Sequence, residues 1–376
     1  MKRALVLGGG MIGSTVARDL SGDFDVTVAD VRPDVLVRLD ADGLRTVRAD
    51  LADPAAVARV ADGQDVVVGA LSSTLGFQTL RTVIEAGRNF VDISFMREDA
   101  RALDPLARRQ GVCCVVDCGV APGLSNLLAG YAATQLDPCE RIDIYAGGLP
   151  VERPWPYQYK AGFAPSDVIE EYTRPARIKV GGKVVVREAL SEPELIDFPE
   201  LGMLEASLTD GLRSLLATVD VPNLNEKTLR WPGHSELMRV LRHTGFFGKE
   251  PIKVGRLDIR PLDVTSVLLF PKWTFAPGEA DVTVLRVSAV GRQSGRRVRR
   301  TWDLVDRHDP ATDTRSMSRA TAFPAAIMAR LVAAGRFATR GVHAPEVVGA
   351  RPGMVDWMLA ELARRGVRVA ERVEAA

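Results

Sequence analysis

The residues of this chain that could do chemistry fall into three groups: a spaced set of glycines, two carboxylates, and an arginine–histidine pair. Glycines stand at Gly8, Gly10 and Gly13, the G-x-G-x-x-G spacing, directly after the apolar run 4–7. In such a turn the first two glycines bring bare backbone N–H groups to a pyrophosphate, and the third lets the next helix pack closely. The helix N-terminus adds oriented donors and a partial positive charge. Asp30 closes a second apolar run and suits the hydroxyls of an adenosine ribose. Its charge opposes a 2′-phosphate and favours NAD over NADP, with Arg32 as the counterweight.

Asp92 follows the apolar run FV, at the expected end of a fifth strand, where a nicotinamide should reach. A carboxylate there either holds a substrate ammonium and relays a proton or simply caps a turn with Ser94. Farther on, KTLRWPGH sets Arg230 and His234 around a Pro-Gly turn. Arg230 suits a bidentate grip on a carboxylate, whereas His234 either caps the helix that follows or helps in proton transfer. Arg174, Asp210 and Arg213 are further contacts for an amine or carboxylate, with surface ion pairing as the alternative.

These groups need elements to hold them. Ile12, Val16 and Leu20 recur every four residues, one face of a helix behind the glycines. Strands are expected at 4–7, 26–30, 44–49, 65–71, 90–93 and 112–116, alternating with helices, which is the pattern of βαβ units and a doubly wound parallel sheet. Ligands of such a sheet lie beyond the carboxyl ends of its strands. Dinucleotide contacts are therefore expected at Gly8, Gly10, Met11, Ile12 and Gly13, at Asp30, Val31 and Arg32, and at Asp50 and Leu51. They continue at Ala70, Leu71 and Ser72, at Asp92, and at Val120, Ala121 and Pro122. After a helix at 124–136 the pattern changes. A Gly181-Gly182 hairpin and long pairs near 282–304 indicate a mostly antiparallel sheet, with helices at 210–219 and 234–244. Helices return at 324–334 and 355–362. The expected division is a dinucleotide domain, 1–122 completed by 316–376, and an α+β domain, 123–315.

Composition excludes some alternatives. With 49 basic and 48 acidic residues, no global field favours nucleic acid or an anionic membrane. The arginines at 292–300 read as a solvated hairpin turn without the interleaved aromatics of a nucleic-acid site. Cys113, Cys114, Cys118 and Cys139 match no zinc spacing, and no metal is expected. The opening apolar run stops at Gly8, short of the ~7 residues of a leader's core, and nothing approaches a ~20-residue span. The expectation is a cytoplasmic protein.

GGGMIGS, VDISFM, DCGVAPGLSN, EEYTRPAR, DGLRSLL and KTLRWPGH, in that order, resemble the saccharopine dehydrogenase family over nearly the whole chain, its lysine 6-dehydrogenases above all. The resemblance implies a Rossmann domain built from both chain ends and an inserted α+β domain that binds substrate and forms a homodimer or higher oligomer. It implies NAD-dependent oxidation of the ε-amine of L-lysine to allysine, which cyclises. It also sets Asp92, Cys118, Trp155, Arg230 and His234 around the substrate. The chain is shorter than the glutamate-forming enzymes, which favours lysine over saccharopine. A related saccharopine or carboxyspermidine-type dehydrogenase, and a silent NAD-binding redox sensor, are the other readings.

Overall fold

The computed structural model describes all 376 residues, which divide into two compact units. The first opens with β1 (Lys2–Leu7), α1 (Met11–Leu20), β2 (Phe24–Asp30), α2 (Pro33–Ala41), β3 (Arg45–Arg48) and α3 (Pro54–Ala61). It continues through β4 (Val66–Gly69), α4 (Ser73–Glu85), β5 (Phe90–Asp92), α5 (Asp104–Gln110), β6 (Cys113–Val115) and α6 (Leu124–Gln135). The seven-stranded sheet runs Gly341–His343, β6, β5, β4, β1, β2, β3, and its neighbouring strands all pair in parallel. The inner strands, β4 to β6 and the end of β1, are short apolar runs buried on both faces, as a sheet covered by helices requires, whereas the edge strand β3 is largely exposed. The chain reverses its winding between β1 and β4, and that switch point brings the ends of β1, β4 and β5 side by side.

Two glycines make this junction. Gly8 has a left-handed φ of +97°, and a Cβ there would lie 2.5 Å from the Ala70 carbonyl oxygen. A Cβ on Gly13 would lie 1.9 Å from the Gly8 carbonyl oxygen, so α1 can cross the turn only with glycine there. The space beside Gly9 is filled instead by Val35 and Leu39.

The second unit is built on a mixed sheet in the order Glu194–Phe198, Gly202–Leu208, Leu224–Arg230, Cys139–Pro150, Asp281–Gln293, Arg296–Arg307, Val369–Ala375. Leu224–Arg230 pairs in parallel with Cys139–Pro150 and antiparallel with Gly202–Leu208, and Asp281–Gln293 pairs antiparallel with both Cys139–Pro150 and Arg296–Arg307. Ala176–Val180 and Lys183–Arg187 form the hairpin expected at Gly181-Gly182, both of which have positive φ. Helices Pro165–Thr173, His234–Thr244 and Pro261–Trp273 enclose a separate core containing Tyr159, Tyr172, Met238 and Trp273.

Three sequence expectations are corrected. The division falls after Gln135, because α6 packs tightly on helix Pro345–Gly349: a Cβ on Gly130 would lie 2.2 Å from the Glu346 carbonyl oxygen. Residues 370–376 belong to the second unit, where Glu371 and Arg372 pair with Arg300 and Asp303. The helix expected at 210–219 shrinks to Leu215–Thr218, since Asp210 is drawn to Arg177, the Gly211 N–H to Glu226, and Arg213 takes φ +51°. The apolar stripe Val355, Met358 and Leu362 is buried against neighbouring helices, α6 among them. Replacing Gly13 with alanine should cost about 1–3 kcal/mol or more by overpacking, read as a lower denaturation midpoint at unchanged m-value; an unshifted midpoint would refute the close crossing.

Candidate active site

Asp92 ends β5 and is 1% exposed. Its neighbour across the sheet is Gly69, where a Cβ would lie 2.3 Å from the Asp92 Oδ1, so the carboxyl is folded over the end of β4. Ser94 Oγ donates to Oδ1 at 2.7 Å. Ser94 is admitted in turn by Gly76 of α4, whose Cβ would lie 2.7 Å from that of Ser94. Oδ2 is buried with no hydrogen-bond partner. Burial pushes the Asp92 pKa up to about 7, with the negative charge of Asp117 adding to the rise and the Ser94 hydrogen bond opposing it. A buried carboxylic group poised near neutrality, with one oxygen idle, suits proton exchange with a ligand.

The turn after β6 is tied to the same place: the Cys118 N–H donates to the Asp92 carbonyl oxygen at 2.8 Å, and Asp117 has φ +56°. Cys118 itself is 1% exposed, with its thiol toward the carbonyls of Val115 and Val116. Burial and the nearby Asp117 and Asp92 drive its pKa well up, so it is a packed thiol and no nucleophile. Val120 is buried, and Ala121 and Pro122 are half-buried on this turn.

At the glycine turn the residues fit a dinucleotide. Gly10 has open space on its Cβ side, the nearest atom being the Arg32 Nη2 at 3.7 Å, and no side chain caps α1. Met11 and Ile12 begin that helix. Asp30 is more occupied than its sequence position suggests. Oδ1 accepts from the Arg32 N–H at 2.9 Å and Nε at 3.1 Å, and Oδ2 from the Gly9 N–H at 2.8 Å and Arg32 Nη2 at 3.0 Å. Burial opposes its charge, but the Arg32 guanidinium and the two backbone donors prevail and hold the pKa below its ordinary value. Val31 is exposed, Asp50 is exposed and accepts from the Ala52 N–H, and Leu51 is buried. Ala70 and Leu71 are half-buried against the turn, with Ser72 exposed beside them.

In the second unit Arg230 is 2% exposed and engaged on all three nitrogens. Nε donates to Tyr172 Oη at 2.8 Å, Nη1 to the Leu229 carbonyl at 2.9 Å and Nη2 to Glu171 at 3.1 Å. Its guanidinium carbon lies 4.7 Å from the Tyr159 ring centroid. His234 Nε2 is 2.9 Å from Tyr172 Oη, and its Nδ1 is 2.8 Å from the Tyr157 carbonyl. A carbonyl only accepts, so Nδ1 carries the proton and Nε2 takes the Tyr172 hydroxyl proton. Burial first, and then the Arg230 charge, lower the His234 pKa to about 3. His234 is a neutral interior group, and Gly233, with no side-chain cap, sits at the helix start instead. Asp210 forms a fork with Arg177 at 2.8 and 2.9 Å, Arg174 lies 3.9 Å from Glu170, Arg213 is half-buried, and Trp155 is 90% exposed. Sequence reasoning passed over Glu171 and Tyr172, although EEYT stood among the quoted motifs. It missed Glu226 altogether, a buried carboxyl held by Thr209 and Gly211 whose pKa is pushed up to about 7, chiefly by burial.

Residues 4–115 match the saccharopine dehydrogenase NADP binding domain, and residues 119–367 the saccharopine dehydrogenase C-terminal domain. The chain belongs to the saccharopine dehydrogenase family. It is similar to the glutamate-forming, NADP-dependent saccharopine dehydrogenase of Saccharomyces cerevisiae, 24% identical over 208 residues that cover 52% of this chain and 45% of that one. The corresponding Schizosaccharomyces pombe enzyme is 20% identical, with 88% of each chain covered. The α-aminoadipic semialdehyde synthase of Arabidopsis thaliana is 24% identical over 56% of this chain but only 21% of its own length. This chain thus spans less than half of two of these relatives. A solved structure of apo saccharopine dehydrogenase (L-Glu forming) from S. cerevisiae superposes with a TM-score of 0.82 at 20% identity, with both chains fully covered. It shows the same fold. Membership gives the chain the family's dinucleotide-binding domain and its C-terminal domain.

The raised pKa of Asp92 has a consequence for stability. The folded chain holds this proton more tightly than the unfolded one, so stability falls as pH rises from about 4 to about 7. Asp92→Asn should therefore melt several degrees higher than the wild type at pH 8 and no higher at pH 4; equal melting temperatures at pH 8 would count against the buried carboxyl.

Proposed function

We propose that this protein oxidises the ε-carbon–nitrogen bond of L-lysine with a nicotinamide dinucleotide, yielding allysine, ammonium and the reduced cofactor. The observation that carries the reading is the idle Oδ2 of Asp92, buried at the end of β5 beside the glycine turn. A lysine ammonium, with a pKa near 10.4 in water, must lose a proton before its carbon can give up hydride. Asp92 Oδ2 accepts that proton, while the Ser94 hydrogen bond keeps Oδ1 turned away from the reacting nitrogen. The bound nicotinamide supplies the hydride acceptor. Water then adds to the iminium carbon, and ammonium leaves. One lysine ammonium, one oxidised cofactor and one water become aldehyde, ammonium, reduced cofactor and a proton.

The dinucleotide would rest on the turn at Gly8, Gly10 and Gly13, with Met11 and Ile12 at the helix start, and its ribose against Asp30. In this reading Arg230 and His234 brace the substrate domain through Tyr172 and do not touch substrate. Saccharopine is the second reading, favoured by the relatives matched and by the bond to be oxidised, which is again carbon to nitrogen. A silent redox sensor would bind the dinucleotide and oxidise neither.

Reduced-cofactor formation should be followed with L-lysine, saccharopine and carboxyspermidine, and dinucleotide binding should be followed separately. Asp92→Asn is expected to lower kcat by about 100- to 10,000-fold with dinucleotide affinity retained, and wild-type kcat/KM should climb with pH through about 7. A loss of less than a few-fold would sink the assignment of Asp92, and bound dinucleotide with every amine inert would favour the sensor. NAD is the proposed cofactor. Asp30→Ser should shift preference toward NADP and Arg32→Ala toward NAD; an unchanged ratio in both would remove the pair from cofactor choice.

A further inference from the structure

Two buried polar side chains of the first unit take no direct part in the proposed reaction: Asn126, 0% exposed, and Glu346, 2% exposed. Asn126 lies in the first turn of α6, and Glu346 in helix Pro345–Gly349. The two helices touch backbone to backbone. A Cβ on Gly130 of α6 would lie 2.2 Å from the Glu346 carbonyl oxygen, and one on Gly349 would lie 2.0 Å from the Leu127 carbonyl oxygen. With a glycine on each helix, nearby side chains can pair across the crossing. Asn126 Nδ2 donates to Glu346 Oε2 at 3.3 Å, and Thr218 Oγ1 donates to Glu346 Oε1 at 2.6 Å. On its other side Asn126 Oδ1 accepts from the Gly123 N–H at 3.3 Å and from Ser125 Oγ at 3.0 Å. The amide fits only this way round, since the flipped group would set its oxygen against a carboxylate and its N–H bonds against that of Gly123.

Gly123 closes the turn that follows β6. It has φ +139°, and the Leu124 and Ser125 N–H groups donate back to the Gly119 and Val120 carbonyls. The other end of the turn is tied to the site, where the Cys118 N–H donates to the Asp92 carbonyl oxygen. Hydrogen bonds and turn backbone thus connect Glu346, through Asn126 and Gly123, to the main chain of Asp92. An apolar pair of the same size would hold the two helices together about as well. It would leave the Gly123 N–H unheld.

We infer that Asn126 and Glu346 are positioning residues, which fix the Asp117–Gly123 turn so that Asp117 stays beside the Asp92 carboxyl. The inference rests on the reading of Asp92 as the proton acceptor. The groups that act on Asp92 are Ser94, after β5, and Asp117 and Cys118 on this turn. Cys118 keeps its proton, so Asp117 is the charge whose displacement matters. A loosened turn moves that charge away and admits water, and Asp92 then gives up its proton at lower pH.

The test exchanges the two members of the pair. Glu346→Gln sets amide against amide, and Asn126→Asp sets carboxylate against carboxylate. Each should lower kcat by about 10- to 100-fold with KM little changed, and move the rise of kcat/KM about one pH unit downward. Asn126→Asp with Glu346→Gln matches donor to acceptor again and should recover most of the activity and the wild-type profile. Asp92 is also read without substrate. The difference in melting temperature at pH 8 between chains with Asp92 and with Asp92→Asn should narrow in each single variant and widen again in the double one. That arm stands even if no amine is oxidised, so the two readings fail separately. Single variants that melt lower yet keep the wild-type difference would make the pair structural only and overturn the inference, as would a double variant no better than the singles. Should neither single variant fold, Thr218→Val, at an exposed position, decides. A smaller narrowing is expected there, and an unchanged difference refutes the inference.

Discussion

A carboxyl group with nowhere to place one of its oxygens is the constraint around which the first unit is arranged. Asp92 can lie over the end of β4 only because Gly69 has no side chain, and Ser94 can reach it only because Gly76 has none. The cost of burying that charge is an order larger than a surface ion pair would return, and the chain does not relieve it with a cation. It accepts a raised pKa instead. Burial without a counter-ion is what makes a carboxylic acid useful near neutral pH, where an exposed aspartate would hold no proton to exchange.

The second unit handles charge in the opposite way. Arg230, Tyr172, His234 and the Tyr157 carbonyl form a chain of hydrogen bonds that holds each group, with Glu171 paired to the guanidinium. A guanidinium stacked on tyrosine and tied at every nitrogen stays in one place, so its contribution is rigidity. The first unit thus holds an unsatisfied proton site, and the second a fully hydrogen-bonded cluster. At the glycine turn the Asp30–Arg32 fork shows a third arrangement. There the carboxylate is paired in bidentate fashion with a half-exposed arginine, so the pair carries no net charge.

Much of this was legible without coordinates. The glycines, the alternation of buried runs with helices, and the position of Asp92 at a strand end depend on local periodicity and local turn chemistry, and the fold class follows from them. The hairpin at Gly181-Gly182 was equally plain, because both residues need positive φ. The helix placed at 210–219 failed for a non-local reason: Asp210 and Gly211 find their partners in Arg177 and Glu226, and helical periodicity loses to those bonds.

The sequence by itself thus determined which residues can turn, alternate and carry charge, since those properties reside in each side chain and its near neighbours. Tertiary structure alone decided which charges are satisfied. Asp92 and the overlooked Glu226 are pushed toward neutrality, Cys118 is sealed, and Arg230 and His234, which read like Asp92 as reactive groups, are consumed inside a core. The reason is that desolvation and hydrogen-bond completion depend on atoms brought from distant parts of the chain, and no spacing rule encodes them.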